Sequence, residues 1–465
     1  MGAMKGRQVR QRTSNQEAEV KPWGPGAKAD VPMADRAIEN PMFGADLMEV
    51  VCHRDNLRAA LKRVRGNKGS PGLDGMTVGE LGGYLRAHWP QLKEALLKGE
   101  YVPQPVRRVE IPKPGKKERR KLGIPCVVDR FIQQALLQVL QSRWDEAFSE
   151  HSYGFRPGRS AHQAIARAQS YLRSGYGVVV DIDLEAFFDR VNHDRLMSRL
   201  ALRIVDKRVL KLIRAYLQAG ILENGLVKVP TEGTPQGGPL SPFLSNVVLD
   251  EWDRELERRG HRFVRYGDDC NIYVKSQRAG ERVMASLKRF IAGRLKLKVN
   301  EAKSAVDAPQ QRKFLGFTFT GGRSANRRKI ASESLQRFKA RVRQQTRRNW
   351  SISLEERVRR LKGYLNGWRG YFGFCETASV LRDLDSWIRH RLRCVQWKQW
   401  KVYRRRKAEL IRLGVAPELA HATAWSAKGP WRISHTPGVR MALSNGYFDA
   451  LGLPRSDPRV SIKPY

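Results

Sequence analysis

Three acidic residues stand where the chain passes from a β-rich run into a turn. Asp183 follows the apolar run of Val178, Val179, Val180 and Ile182, and the adjacent pair Asp268 and Asp269 separates two β-rich stretches. Neighbouring carboxylates in a tight turn repel one another, and a divalent cation shared with a third carboxylate offsets that cost. Two such ions about 4 Å apart can clamp the attacking and leaving oxygens of a phosphoryl transfer. Hard Mg²⁺ favours a few carboxylates plus substrate phosphates over a closed protein cage. Each feature alone has a plain reading: Gly-Asp-Asp is ordinary hairpin-turn chemistry, and an Asp after a buried strand is a frequent helix N-cap. Their combination in a strongly basic chain is what points to phosphoryl transfer.

The 465 residues carry 87 Lys and Arg against 46 Asp and Glu, a formal net charge of +41. A field of that size suits a polyanion, because each cation that meets a phosphate releases condensed counterions. Nucleic acid is the default partner and an anionic membrane surface its competitor. No run approaches the ~18 apolar residues of a spanning helix, so no membrane association is expected. The first twenty residues lack the apolar core of a secretory signal. They are Arg-rich and free of acids until Glu17, which fits a basic arm and leaves a mitochondrial transit peptide open. The five cysteines (Cys52, Cys126, Cys270, Cys375 and Cys394) are scattered without zinc spacing. Neither a disulfide framework nor structural zinc is indicated, as expected in a reducing cytosol.

The elements that would position the acids are legible in outline. Residues 1–40 form a polar arm without periodicity. A helix begins near Met48 and stops in the glycine-rich turn GNKGSPGLDG, a second helix fills 79–99, and residues 107–125 alternate around a Pro-Gly turn as a basic hairpin. Phe131, Ile132, Ala135, Leu136, Val139 and Leu140 have helical spacing. The strand at 178–182 gives way to helix formers, residues 261–276 read as a hairpin around Gly267-Asp268-Asp269, and two more short strands are expected within 295–304 and 312–319. Strands alternating with helices make the fold class α+β. From Gly321 to Leu413 the chain holds 26 Lys and Arg against 7 Asp and Glu and is mostly helical. Leu354, Val358, Leu361, Leu365, Trp368 and Phe372 make one apolar stripe, with Ser353 and Glu356 as a capping box at its start. A further helix runs through Leu384, Ile388, Leu392 and Val395, with Gly414 as its stop.

The order of motifs resembles that of right-hand reverse transcriptases, and more particularly the reverse transcriptase/maturases encoded by group II introns. The resemblance covers about residues 45 to 400. It is carried by GLDGMTV, the basic hairpin, HSYGFRPGRSAHQAI (151–165), Asp183 to Asp189, TPQGGPLSP (234–242), Tyr266 to Asp269, LKLKVNEAKS, KFLGF and the helix LEERVRRLKGYLNGWRGYF. It implies fingers at 41–175, a palm with an antiparallel sheet at 176–320, a maturase-type helical thumb at 321–400 and a basic extension at 401–465. The extension has no Cys and only His421 and His435, so no HNH endonuclease is expected.

The resemblance further implies the activity and the residues behind it. RNA-directed DNA synthesis would use Asp183, Asp268 and Asp269 as ligands of two Mg²⁺ ions, with Mn²⁺ as a substitute, and the carbonyl of Leu184 would complete one metal site. Phe188 would stand beneath the incoming sugar and exclude a 2′-OH. Gln236 would line the nucleotide pocket, where the neighbouring glycines let backbone approach the substrate; the absence of a GK[ST] ending makes an ATPase reading poor. Lys113 and Arg120 would grip the triphosphate, Lys303 would touch the primer, and Arg357, Arg360 and Arg369 would follow the duplex backbone. The implied partners are dNTPs, an RNA template with a DNA primer, a structured intron RNA whose splicing the protein aids, and a DNA target for retromobility. A homodimer is left open, and the implied location is bacterial cytoplasm, with an organelle second. One departure is Gly267, where the family more often has Ala; both are small enough for such a turn, so no loss of catalysis is expected. Three alternatives stay open: an RNA-synthesising polymerase, a splicing maturase without polymerase activity, and a retron-like or defence-type reverse transcriptase.

Overall fold

A computed structural model describes residues 42–112, 119–223, 226–228, 231–234, 237–322 and 325–456. Lys113, Gln236 and the arm at 1–40 lie outside the described residues. The chain begins with α1 (Leu47–Val51), α2 (Arg54–Gly66) and α3 (Leu81–Lys98), then the hairpin β1 (Val106–Pro112) and β2 (Arg119–Ile124). Helices α4 (Val127–Trp144) and α5 (Ala161–Arg173) lead into β3 (Val178–Ile182), followed by α6 (His193–Ala201) and α7 (Lys207–Gln218). Short strands β4 (Ile221–Glu223) and β5 (Leu226–Lys228) precede α8 (Ser241–Arg258), the hairpin β6 (Arg262–Tyr266) and β7 (Asp269–Val274), and α9 (Gln277–Phe290). After β8 (Ala305–Asp307), β9 (Phe317–Phe319) and β10 (Arg328–Ile330), the remainder is helical. It comprises α10 (Ser332–Gln345), α11 (Leu354–Phe372), α12 (Ala378–Gln399), α13 (Tyr403–Arg412), α14 (Pro417–Trp425), α15 (Pro430–Ile433), α16 (Pro437–Ala442) and α17 (Asn445–Ala450).

One antiparallel sheet, in the order β6-β7-β3-β8, organises the molecule. Side chains alternate across a strand, and the register assigns each face. Val180, Ile182, Phe263, Cys270 and Ile272 enter one hydrophobic core together with α4, α6, α7, α8 and α9. Val179, Val264 and Tyr273 point the other way, into a second core shared with α5, α10, α11, α12 and the C-terminal helices. A second sheet, β2-β1-β4-β5, holds the basic hairpin against the turn region after α7, with β1 and β4 parallel.

The structure departs from the sequence expectations at identifiable points. After β3 no helix forms: Ala186 takes a left-handed φ of 48°, Phe187–Asp189 make one tight turn, and helix α6 waits for the side-chain cap of Asn192. Within 295–304, Lys296 is left-handed and residues 301–303 turn, so the strand begins only at Ala305. The Ser353 hydroxyl caps the Glu356 amide, but the Glu356 carboxylate binds Arg359 and Arg360, so half of the capping box forms. The helix expected to run to Gly414 breaks near Trp400, whose buried ring packs on Trp397 at 6.1 Å, and Gly414 ends the separate α13.

Candidate active site

The β3–β7 register pairs Asp181 with Asn271 and Ile182 with Cys270. One step further sets Asp183 opposite Asp269, where antiparallel partners have Cα atoms about 4.5–5.5 Å apart. Asp181, Asp183 and Asp269 therefore share the face whose lower half is the apolar Val179–Tyr273 pair. Asp268 sits in the two-residue turn between β6 and β7. Burial raises the Asp268 carboxyl above its ordinary range and Asp183 adds to the rise, while Arg120 and Arg265 oppose it. Asp269 is pushed up to about 7, first by desolvation and then by Asp268, Asp181 and Asp183, against weak relief from Lys313. These groups thus feel one another as a concentrated negative field.

Two of these acids already have cationic neighbours. Lys303 Nζ lies 3.0 Å from Asp183 Oδ2, and Arg312 holds Asp181 at 2.6 Å while donating to the Lys303 carbonyl. Lys303, expected at the primer, thus stands at the acidic cluster itself. With Asp183 turned to Lys303, no group of three or more His, Cys, Asp or Glu among the described residues is gathered closely enough to hold a metal ion. The donor set still fits a hard divalent cation: carboxylate oxygens, no softer nitrogen or sulfur ligand, and mutual repulsion that a cation would relieve. Holding one through Asp183 requires Lys303 to yield. The bridge between Leu184 and Val299 is flanked by hydrogen bonds to the carbonyls of Asp183 and Lys298 and does not use that of Leu184.

Beneath the turn lies a buried polar scaffold that sequence reasoning missed. Arg265 alternates with Val264 and so enters the first core, where it is 0% exposed. Its guanidinium donates to Asp253 at 2.7 and 2.5 Å, to Asn246 Oδ1 at 2.9 Å and to the Gly267 carbonyl at 2.8 Å. Asn246 in turn donates to the Gly154 carbonyl. A Cβ on Gly154 would lie 2.2 Å from the Gly267 nitrogen, so only glycine lets the 151–160 loop touch the turn. Arg156 pins that loop through Asp145 and the Ser149 and Ser152 carbonyls. The available signal was a charged residue at a core-facing strand position, three residues before the acidic pair.

Gly267 itself differs from expectation. Its φ is +66°, and an added Cβ would approach the Phe155 ring to 3.0 Å, so alanine is strained here and the two residues are not equivalent.

Among the residues expected at the nucleotide, Phe188 is half-buried and borders a cavity of about 200 Å³ with Arg108, Lys121, Gly123, Glu232 and Thr234. Arg120, exposed on β2, is close enough to influence Asp268. The glycine expected to approach substrate instead approaches protein: a Cβ on Gly237 would lie 2.5 Å from the Gly123 carbonyl of β2. On α11, Arg357 is 1% exposed, donates to the carbonyls of Trp350 and Gln345, and stacks over Trp350. It is a core arginine and is unavailable to a duplex backbone, which corrects the expectation. Arg360 is exposed and paired with Glu356 at 2.6 Å, and Arg369 is half-buried beside Asn366 and Phe374.

Comparison with known proteins follows the same division. Residues 111–319 match the family described as "Reverse transcriptase (RNA-dependent DNA polymerase)", and residues 335–413 match "Group II intron, maturase-specific domain". The chain is similar to Protein YkfC of Escherichia coli, 32% identical over 348 residues, which cover 66% of this chain and 90% of that one. It is similar to the Group II intron-encoded protein LtrA of Lactococcus lactis, 29% identical over 330 residues, 57% of this chain and 55% of that one. The chain thus matches nearly the whole of YkfC and about half the length of LtrA. The solved "Partial Cas6-RT-Cas1--Cas2 complex" shares 27% identity over 53% of this chain and 42% of that one, with a TM-score of 0.35 that is too low to carry a fold argument. No helix among the described residues is long and apolar enough to cross a membrane. The chain belongs to the family of group II intron-encoded reverse transcriptase/maturases, which join an RNA-directed DNA polymerase to a maturase-specific domain.

Proposed function

We propose that this chain copies RNA into DNA by two-Mg²⁺ nucleotidyl transfer at Asp183, Asp268 and Asp269, and that it binds its intron RNA and aids its splicing. The observation that carries the reading is the juxtaposition of acids from two distant segments across one strand pair, with Asp269 raised to about 7 by burial and then by its acidic neighbours. In this reading residues 41–175 are fingers, 176–320 palm, 321–400 thumb and 401–465 a basic extension. Bound Mg²⁺ would supply the charge stabilisation of the transfer and hold the reacting oxygens. Mn²⁺ would substitute, and the bacterial relatives favour a cytoplasmic setting.

The protein's own groups would do the rest. Asp183 and the acidic pair would hold the ions once Lys303 leaves Asp183 for the primer backbone. Arg120 would meet the triphosphate together with Lys113, seven residues before it in the sequence. Phe188 would fill the space a 2′-OH needs at the mouth of the 200 Å³ cavity. Along α11, Gly363, Gly367 and Gly370 have open space where a Cβ would stand. Each costs a helix about 1 kcal/mol relative to Ala, and no internal packing demands them. We read this smooth face, flanked by Arg360 and Arg369, as the one that approaches the template–primer duplex. The DNA target and any dimer belong to the same proposal for retromobility.

The test is primer extension on an RNA template with a DNA primer, comparing dNTP with rNTP, for the native chain, Asp268→Ala and Phe188→Ala. The reading expects dNTP incorporation, its loss in Asp268→Ala while splicing aid survives, and gained rNTP use in Phe188→Ala. Undiminished extension by Asp268→Ala would remove the polymerase site from these residues. Native rNTP use equal to dNTP would favour an RNA-synthesising enzyme.

A further inference from the structure

Helices α10 and α12 each pack against α11, and side chains of α10 and α12 meet around Trp387. Cations converge there without an acid among them. Lys339, Arg343 and Arg391 surround the Trp387 ring at 6.0, 5.6 and 5.4 Å. The Arg391 guanidinium is held in place by the Thr346 hydroxyl at 2.6 Å and the Thr346 carbonyl at 3.3 Å. Burial lowers its pKa, and Arg343 and Arg348 lower it further, which is the signature of like charges pressed together. A cleft of about 550 Å³ opens beside it, lined by Thr346, Arg347, Arg348, Asn349, Arg391 and Lys398, with Pro430 as its far wall. Pro430 begins α15, which is fastened to α12 by hydrogen bonds from Cys394 Sγ to the Pro430 carbonyl and the Ser434 hydroxyl. Residues 334–354 and 386–408 contain no Asp or Glu at all, so these two stretches supply no counter-charge of their own.

We propose that this α10–α12 cleft, closed by the C-terminal extension, is a second polyanion site that binds RNA phosphates independently of the template–primer cleft. The inference deepens the maturase half of the proposed function and rests on that reading for its partner. RNA is favoured over an anionic membrane because the charges line a concave cleft, and one of them, Arg391, also lies over the neighbouring Trp387 indole. That arrangement suits a folded strand with stacking bases better than a flat headgroup plane. The geometry also gives the extension a role, as the wall that makes the groove concave.

The test uses the full chain carrying Arg347→Glu, Arg348→Glu and Lys398→Glu together, exposed positions that make no hydrogen bond or ion pair among the described residues. Circular dichroism checks the fold, and Arg347→Ala with Lys398→Ala is the milder second variant. Binding of bulk transfer RNA, a compact folded probe, is measured across a salt series, alongside primer extension on a short RNA template with a DNA primer. The proposal expects RNA affinity to fall at least tenfold, with the salt slope smaller by roughly 2 to 3. The Michaelis constant for template–primer should stay within about twofold. Unchanged RNA affinity and slope in both variants would overturn it. Parallel loss of template–primer affinity in a folded variant would also overturn it, by merging the cleft with the polymerase site. Lost binding to phosphatidylglycerol vesicles with RNA binding intact would assign the cleft to a membrane instead. Absence of native primer extension would count against the polymerase reading while leaving the RNA measurement decisive for the cleft.

Discussion

The two faces of the β6-β7-β3-β8 sheet handle charge in opposite ways. On the inner face Arg265 is fully buried, yet Asp253, Asn246 and the Gly267 carbonyl satisfy its guanidinium within the protein. On the outer face Asp181, Asp183, Asp268 and Asp269 gather a negative field that Lys303, Arg312 and Lys313 only partly answer. The inner face is finished by folding alone and gives the turn a rigid platform. The outer face is left short of positive charge, and in the proposed function divalent cations would make up the difference. The α10–α12 cleft repeats that outer-face logic with the sign reversed.

The largest expected effect lies on the inner face. Arg265→Leu should destabilise the protein by about 4 kcal/mol, because Asp253 would be left buried and unpaired. Arg265→Met combined with Asp253→Leu should recover most of that loss, as read by chemical denaturation. If the single variant is neutral, the platform is not what holds the turn. Asp250 is the inner face's exception: it is 4% exposed, its Oδ1 accepts no hydrogen bond and has only the Arg254 guanidinium at 3.7 Å, and burial followed by Asp253 raises it to about 6. The folded state therefore keeps a proton that the unfolded chain releases near its ordinary pKa of 3.8. That stabilisation is present below about pH 4 and is lost as pH rises through 6. Asp250→Asn should accordingly stabilise the protein by about 2 kcal/mol at pH 8, with the gain vanishing near pH 4 in a denaturation series.

Gly267→Ala should cost about 1–2 kcal/mol through its left-handed φ, with a matching loss in primer extension as Phe155 is displaced. Unchanged activity would show that the turn tolerates both residues, as the sequence alone suggested. The smallest effect belongs to the exposed Arg360–Glu356 pair, where Arg360→Ala should change stability by less than about 0.5 kcal/mol. A larger loss in thermal unfolding would mean that α11 relies on surface charge.

Sequence reading reached the outer face more easily than the inner one, for physical reasons. Asp183 and Asp268-Asp269 are conspicuous because acids at strand ends break a β pattern, and the α11 stripe from Leu354 to Trp368 is legible because a 3.6-residue period is local. Arg265 was opaque, since its partners Asp253 and Asn246 sit on a helix, and only register tells which face it enters. Arg357 misled in the opposite direction: an arginine in a basic helix looks solvent-facing until its neighbour Val358 and the loop at Trp350 close over it. Whether Gly237 meets a ligand or the Gly123 carbonyl likewise depends on a long-range approach that spacing does not encode.

The central claim is that the outer-face carboxylates hold divalent cations, and direct binding tests it. Mn²⁺ should be titrated, with electron paramagnetic resonance as readout, into the native chain and into Asp183→Asn and Asp269→Asn, each with a chain-terminated primer on an RNA template and a dNTP. The account predicts saturable ion binding by the native chain and at least tenfold weaker binding by both variants. Equal Mn²⁺ affinity in all three proteins would contradict it.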